Sequence, residues 1–224
     1  MPRPLVVFDV DGVLVDASDS YRETIVRTVE RFTGRRVSRA LVQEYKNSGG
    51  YNNDWKLSRK IVSDLGVEVP FDEVVRYFDH IFFEDGDNSL ILRERWIAAP
   101  GLFERLESRC DLAIYTGRMR HEIDSTLARL ARGVRFDPVL CHEDVVKSKP
   151  DPEGLLKIAA ALPGRKLWYV GDTVDDARCA KGAGVDFIGI AAPEAPGSAE
   201  TSALLKAEGA VAVLGDINQL ETVL

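Results

Sequence analysis

The stretch Leu5-Val6-Val7-Phe8-Asp9-Val10-Asp11-Gly12-Val13-Leu14-Val15-Asp16 constrains the fold more than any other. Its apolar run, Leu5 to Phe8, is long enough for a strand buried on both faces, the kind that parallel sheets are built from. That strand delivers two carboxylates, Asp9 and Asp11, into a turn opened by Gly12. Alternation places both side chains on one side of an ideal strand, where like charges raise each other's proton affinity. A hard divalent cation such as Mg²⁺ offsets that repulsion and holds a phosphate dianion against an attacking carboxylate. A plainer account of the same pair is two capping acids at a strand-to-helix turn, since Asp and Gly are common turn residues.

After Asp16 the texture is helical. Ala17-Ser18-Asp19-Ser20 offers helix caps, and Tyr21, Ile25, Val29 and Phe32 recur at helical spacing up to Gly34. A second helix is expected from Val37 to Tyr45, with Ser38 as its cap. The stretch from Lys46 to Trp55 is polar, glycine-bearing and aromatic at once. It reads equally as a loop closing on a small polar ligand and as a capped helix connection in which Asp54 opens the next helix. Phe71 to Phe83 reads as a helix filling a small aromatic core. Glu84-Asp85-Gly86-Asp87-Asn88 lacks the spacing of a calcium loop and reads as a solvated turn before a helix over Leu90–Trp96.

Ala99-Pro100-Gly101 marks a boundary, because Pro stiffens the chain and Gly permits a turn. Beyond it strands are expected at Leu112–Tyr115, Val139–Cys141, Leu167–Val170 and Phe187–Ile190, with an edge strand at Ala210–Val213. Helices are expected between them. This alternation predicts an α/β fold with a doubly wound parallel sheet. Residues 1–16 and 99–224 form the α/β core, and residues 17–98 form an inserted α-helical domain.

In such sheets ligands gather at the carboxyl ends of strands, so the residues that follow each strand belong together. They are Thr116-Gly117-Arg118, then Lys147-Ser148-Lys149-Pro150, then Gly171-Asp172-Thr173-Val174-Asp175-Asp176. Thr116 is either a hydroxyl for a ligand or an ordinary N-cap, and Gly117 lets a backbone approach a ligand closely. Lys149, fixed beside prolines, suits a cation that meets a phosphate. Three acids on one turn look more like metal ligands than dipole-capping acids.

These motifs, in this order, resemble the haloacid dehalogenase-like hydrolase superfamily, whose phosphatases carry Asp-x-Asp after the first strand. The helical insertion resembles the helical cap of the subfamily that includes phosphoglycolate phosphatase and β-phosphoglucomutase. The resemblance implies a Rossmann-like core and a Mg²⁺-dependent phosphohydrolase acting on a small phosphorylated metabolite. Asp9 would be the nucleophile that becomes an aspartyl phosphate, and Asp11 the general acid and base. Asp9, the backbone carbonyl of Asp11, and Asp172 would hold Mg²⁺, with Asp176 a better match than Asp175 for a supporting acid. Thr116, Gly117 and Lys149 would bind phosphoryl oxygens. In the inserted domain Lys46, Asn47, Asn52 and Trp55 would select the leaving group. A phosphomutase is the alternative, although a His common in that branch is replaced here by Tyr21. A dehalogenase is disfavoured because that branch lacks the second acid, and a non-catalytic binding protein on the same fold completes the set.

The remaining bulk features narrow the partners. A net charge of −7 argues against a nucleic-acid backbone. Cys110, Cys141 and Cys179 are too widely spaced for a CxxC site and read as reduced core thiols. The absence of a signal-like N-terminus or a membrane-length apolar run leads to the expectation of a cytoplasmic protein.

Overall fold

A computed structural model of the chain describes residues 2–224. In chain order the strands and helices are β1 (Leu5–Phe8), β2 (Val15–Asp16), α1 (Tyr21–Thr33), α2 (Arg39–Ser48), α3 (Asp54–Asp64), α4 (Phe71–Asp79) and β3 (Arg95–Trp96). There follow α5 (Leu102–Arg109), β4 (Asp111–Tyr115), α6 (Arg120–Leu130), β5 (Val139–Leu140), α7 (Glu153–Ala161) and β6 (Leu167–Gly171). The chain closes with α8 (Val174–Ala183), β7 (Asp186–Ile190), α9 (Ser198–Ala207) and β8 (Ala212–Leu214).

Alternation along β1 sets the layers. Val6 and Phe8 join Leu112 and Ile114 in a core covered by Leu102, Phe103 and Leu106 of α5 and Ile123 of α6. Leu5 and Val7 join Ala113, Tyr115 and Tyr169 in a second core, covered by α7, α8 and α9 through Leu155, Ile158, Ala180 and Leu205. Both faces of the sheet are therefore buried, which is why its central strands read as continuous apolar runs. The sheet is six-stranded in the order β5-β4-β1-β6-β7-β8, with every pairing parallel. The chain builds outward from β1 to β4 and β5, then crosses to β6 on the other side, so the switch in strand order flanks β1.

Residues between β2 and β3 form a separate apolar cluster. Tyr21, Ile25 and Val29 of α1 meet Leu57 and Ile61 of α3, and Phe78 and Phe82 fill the centre. The local signals here are ordinary: Ser38 accepts from the N–H of Leu41 at the start of α2, Asn53 accepts from that of Lys56 at the start of α3, and Gly34 ends α1 in the left-handed region. Ser20 precedes α1 but makes no capping bond with its side chain. Past α4 the chain continues through a π-helical turn, His80–Glu84.

One expected helix is corrected. Leu90–Trp96 divides into a 3-10 turn, Leu90–Arg93, and β3, which pairs antiparallel with β2. That ribbon depends on Val15 and Asp16, far upstream, so no local pattern in Leu90–Trp96 announces it. Cys110, Cys141 and Cys179 are free and buried. Among the described residues no helix is long and apolar enough to cross a membrane.

Candidate active site

The site is assembled at the carboxyl edge of the sheet. β1 ends at Phe8, yet the N–H of Asp9 still donates to the carbonyl of Val170 at 2.8 Å, so Asp9 is held as though the strand continued. Its side chain follows Leu5 and Val7 toward the face of Tyr115 and Tyr169. There Lys149 Nζ stands 3.0 Å from Asp9 Oδ1 and 2.8 Å from Asp176 Oδ1, and donates to the Tyr169 hydroxyl at 2.9 Å. Lys149 also lies over the rings of Tyr115 and Tyr169. The lysine is thus fixed in a buried aromatic slot, its charge matched by two acids.

Asp176 is committed on both oxygens. One accepts from Lys149 and from the Tyr169 hydroxyl, and the other accepts from the N–H and the hydroxyl of Thr173. Thr173 in turn accepts from the N–H of Asp176, completing a capping box at the start of α8. Asp172 lies one residue beyond β6, 3.5 Å from Arg22 of α1. A Cβ placed on Gly12, where φ is +74°, would fall 2.2 Å from Asp172 Oδ2, so glycine is required there for both conformation and space.

Asp9, Asp172 and Asp176 each present a carboxylate oxygen within 4.8 Å of the others. Crowding of this kind shows in their proton affinities. Burial, with repulsion from Asp176 and Asp172 and opposition from Lys149, pushes Asp9 up to about 8. Burial raises Asp172 to about 7 despite Arg22. Burial also works against the charge on Asp176, but Lys149 and the Thr173 and Tyr169 bonds hold it below the ordinary range. Burial opposes the charge on Lys149, yet Asp176 and Asp9 together keep its proton affinity above the ordinary value.

Asp11 lines the same cavity as Asp9 and adds to the repulsion acting on it, after burial, Asp176 and Asp172. Its own carboxylate faces Arg118, which donates from Nη2 to Oδ1 at 2.7 Å and from Nε to Oδ2 at 3.0 Å. Arg118 is fully buried, 2.6 Å from Glu94, and bonded to the Thr126 hydroxyl at 2.7 Å. Its guanidinium also covers the Tyr21 ring at 4.9 Å, while the Tyr21 hydroxyl donates to Glu122. Arg118 and Glu94 are the functional candidates that sequence reasoning passed over. Arg118 adjoins Thr116 and Gly117, and its place in the turn directly after β4, where ligands gather, is the signal that could have singled it out.

A cavity of about 60 Å³ opens above these groups, lined by Asp9, Asp11, Gly117, Arg118 and Asp172 below and by Lys46, Asn52 and Trp55 above. Thr116 is buried beneath it, its hydroxyl accepting from the N–H of Arg118. Lys46 pairs with Asp54 at 2.7 Å, and Trp55 donates to Asp79 at 2.7 Å. Asn47 lies elsewhere, accepting from Gln43 and from Thr201 of α9. Asp175 turns away from the acidic group and takes N–H bonds from Gly50 and Asn52.

Known proteins are similar to this chain in sequence and in fold. A curated phosphoglycolate phosphatase of Pseudomonas fluorescens is 24% identical over 196 residues, covering 85% of this chain and 70% of that protein. A protein of Phytophthora nicotianae named imidazoleglycerol-phosphate dehydratase is 30% identical over 86% of this chain, which spans 44% of its length. The crystal structure of a haloacid dehalogenase-like hydrolase from Bacteroides fragilis superposes with a TM-score of 0.77 at 21% identity, covering 98% of this chain and all of that one. The family described as haloacid dehalogenase-like hydrolase matches residues 6–190, from β1 through the end of β7, so the chain belongs to that family.

Proposed function

We propose that the protein is a Mg²⁺-dependent phosphatase of a small phosphorylated metabolite, working through an aspartyl phosphate on Asp9. The observation that carries this reading is the position of the Asp9 carboxylate. It is the first group beyond the central strand, 3.0 Å from Lys149, within the acidic trio and at the floor of the cavity. The relatives named as phosphatases support the same reaction class.

The acidic trio fits a magnesium ion: its donors are carboxylate oxygens, converging and largely buried, as a hard cation requires. Asp9 and Asp172, with the backbone carbonyl of Asp11, would hold it, and Asp176 would support it while anchoring Lys149. Bound there, Mg²⁺ supplies charge neutralisation to the phosphoryl oxygens and favours the ionised forms of the two acids whose proton affinity is raised.

The chain's own groups then divide the work. Lys149, Thr116 and the backbone of Gly117 bind and orient the phosphoryl group. Asp9 attacks phosphorus as the ester bond breaks, and Asp11 gives its proton to the departing alkoxide. Ionised Asp11 next takes a proton from the water that attacks the aspartyl phosphate, releasing phosphate and restoring Asp9. Arg118 fixes the orientation of Asp11 through both carboxylate oxygens, and one of those two bonds opens when that oxygen carries the proton for the leaving group, which is where positioning lowers a barrier. Lys46, Asn52 and Trp55, on the roof, contact the leaving group, whereas Asn47 would act on it only through the Gln43–Thr201 contact. Tyr21 commits its hydroxyl to Glu122, which gives no support to a mutase.

Screening the purified chain against phosphorylated metabolites, with and without Mg²⁺, tests this reading. Hydrolysis is expected only with the metal, and Asp9→Asn is expected to abolish it. Metal-dependent turnover that survives in Asp9→Asn would overturn the nucleophile assignment.

A further inference from the structure

Asp175 is an acid that the proposed mechanism does not use, although it sits between two that it does. It is 2% exposed, and its partners are backbone amides of a distant loop. The Gly50 N–H donates to both carboxylate oxygens, at 2.8 and 3.0 Å, and the Asn52 N–H donates to Oδ2 at 3.0 Å. The loop is shaped for this. Gly49 has φ 78° and ψ 162°, and Gly50 has φ 83°, conformations that glycine adopts and other residues avoid. The turn they permit aims the N–H groups of Gly50 and Asn52 at one anion, so that the loop acts as a nest, while the Gly49 N–H donates to the carbonyl of Lys46. Here the anion is the chain's own Asp175. A Cβ on Gly49 would also fall 2.3 Å from Arg178 Nη1, so the loop lies directly against α8.

The consequence follows from what each side of the contact carries. Asp175 is in the first turn of α8, together with Asp176 and just after Asp172. The clamped loop runs straight into Asn52 and Trp55, which roof the cavity. Asn52 Nδ2 comes within 2.9 Å of the point a Cβ on Gly117 would occupy, so the roof closes onto the same glycine that approaches the phosphoryl site. The first turn of α8 therefore carries one acid of the trio, Asp176, and also holds the wall opposite it through Asp175.

We propose that Asp175 is a positioning residue: by seating the Gly49–Asn52 nest it clamps the roof of the cavity at a fixed height over the phosphoryl centre and so governs which leaving groups are bound. This assignment rests on the phosphatase reading for its link to substrate choice, while the clamp itself can be measured without any activity.

Amide hydrogen exchange on the full-length chain reads the clamp directly. Asp175→Ala is expected to accelerate exchange at Gly50 and Asn52 by about tenfold or more, since charge-assisted bonds are lost there, with the amides of Val7 and Val170 unchanged. The Asn47–Thr201 contact remains in that variant and keeps the helical segment attached. Asp175→Asn, which retains a single acceptor oxygen, is expected to fall between. Gly50→Ala, strained by its positive φ but with nothing within 4 Å of the added Cβ, disturbs the nest from the loop side and is expected to reproduce the acceleration at Asn52 without touching α8. In turnover, Asp175→Ala is expected to raise KM about tenfold for the best alkyl phosphate of the screen, and less than about threefold for p-nitrophenyl phosphate. Unchanged exchange at both amides in Asp175→Ala overturns the clamp. Accelerated exchange with equal losses on both substrates overturns its role in selecting leaving groups. If the wild-type chain hydrolyses no phosphomonoester, the phosphatase reading fails and the exchange result still decides whether the clamp exists.

Discussion

Arg118 shows how much of the chemistry depends on one side chain. It is held from one side by Glu94, fully buried and itself paired with Arg129 at 2.8 Å, and it grips Asp11 with two nitrogens on the other. Arg118→Ala leaves Glu94 with a single cation in a dry setting, and the expected cost is about 3 kcal/mol, visible as a lower denaturant midpoint. The same change frees Asp11 to rotate. Turnover of alkyl phosphates, which need a proton on the departing oxygen, is expected to fall by about a hundredfold, while p-nitrophenyl phosphate loses under about tenfold. Steady-state kinetics on the two substrates check this, and equal losses would mean that Arg118 does not orient the proton donor. Asp9, Asp172 and Asp176 were legible in the sequence because each directly follows a recognisable strand or opens the helix after one, and Lys149 because a proline follows it in a polar turn. The pairing of Arg118 with Glu94 and Asp11 was not, because a buried ion pair leaves no local periodicity. Asp11 and Arg118 are 107 positions apart, and Asp175 and Gly50 are 125 apart.

At the scale of the element, the start of α8 carries the greatest burden. Thr173 caps the helix, accepting from the N–H of Asp176 and donating to its Oδ2 at 2.6 Å. Thr173→Ala is expected to lower stability by about 1 kcal/mol through loss of the cap, and to weaken Mg²⁺ binding as Asp176 loosens. Thr173→Ser, keeping the hydroxyl, is expected to restore both, and calorimetric titration with the metal distinguishes the two variants. Parallel strands were the readable elements, since β1, β4, β6 and β7 are apolar runs bounded by polar turns, and expected and observed limits differ by a residue or so. Helix starts shifted more. The helix expected between Leu167–Val170 and Phe187–Ile190 begins at Val174, because Thr173 rather than an acid supplies the cap. The β2–β3 ribbon escaped notice because two-residue strands carry no pattern, only a partner.

For the molecule as a whole, the acidic trio couples stability to pH and to metal. Asp9 and Asp172 ionise near 3.8 when unfolded and near 8 and 7 when folded. Between those limits the folded chain holds protons that the unfolded chain has released, so metal-free stability is highest at the acid end of the window and declines as pH rises through it. Lys149 keeps its proton throughout, since its affinity is raised above an already basic value, and adds no slope there. Carboxylates that have lost their protons bind a divalent cation better, so added Mg²⁺ stabilises the native chain most at the alkaline end, where the metal-free protein is weakest. Without metal the melting temperature is expected to drop by about 5 °C or more between about pH 6 and pH 8, and with about 10 mM Mg²⁺ that drop is expected to shrink or reverse. Scanning calorimetry at both pH values, with and without the ion, measures all four states. In Asp172→Asn one of the two titrating acids is gone, so both the metal-free slope and the Mg²⁺ response should diminish together. A slope that persists unchanged in that variant would place its origin outside the trio, and with it the argument that these acids are crowded for a cation.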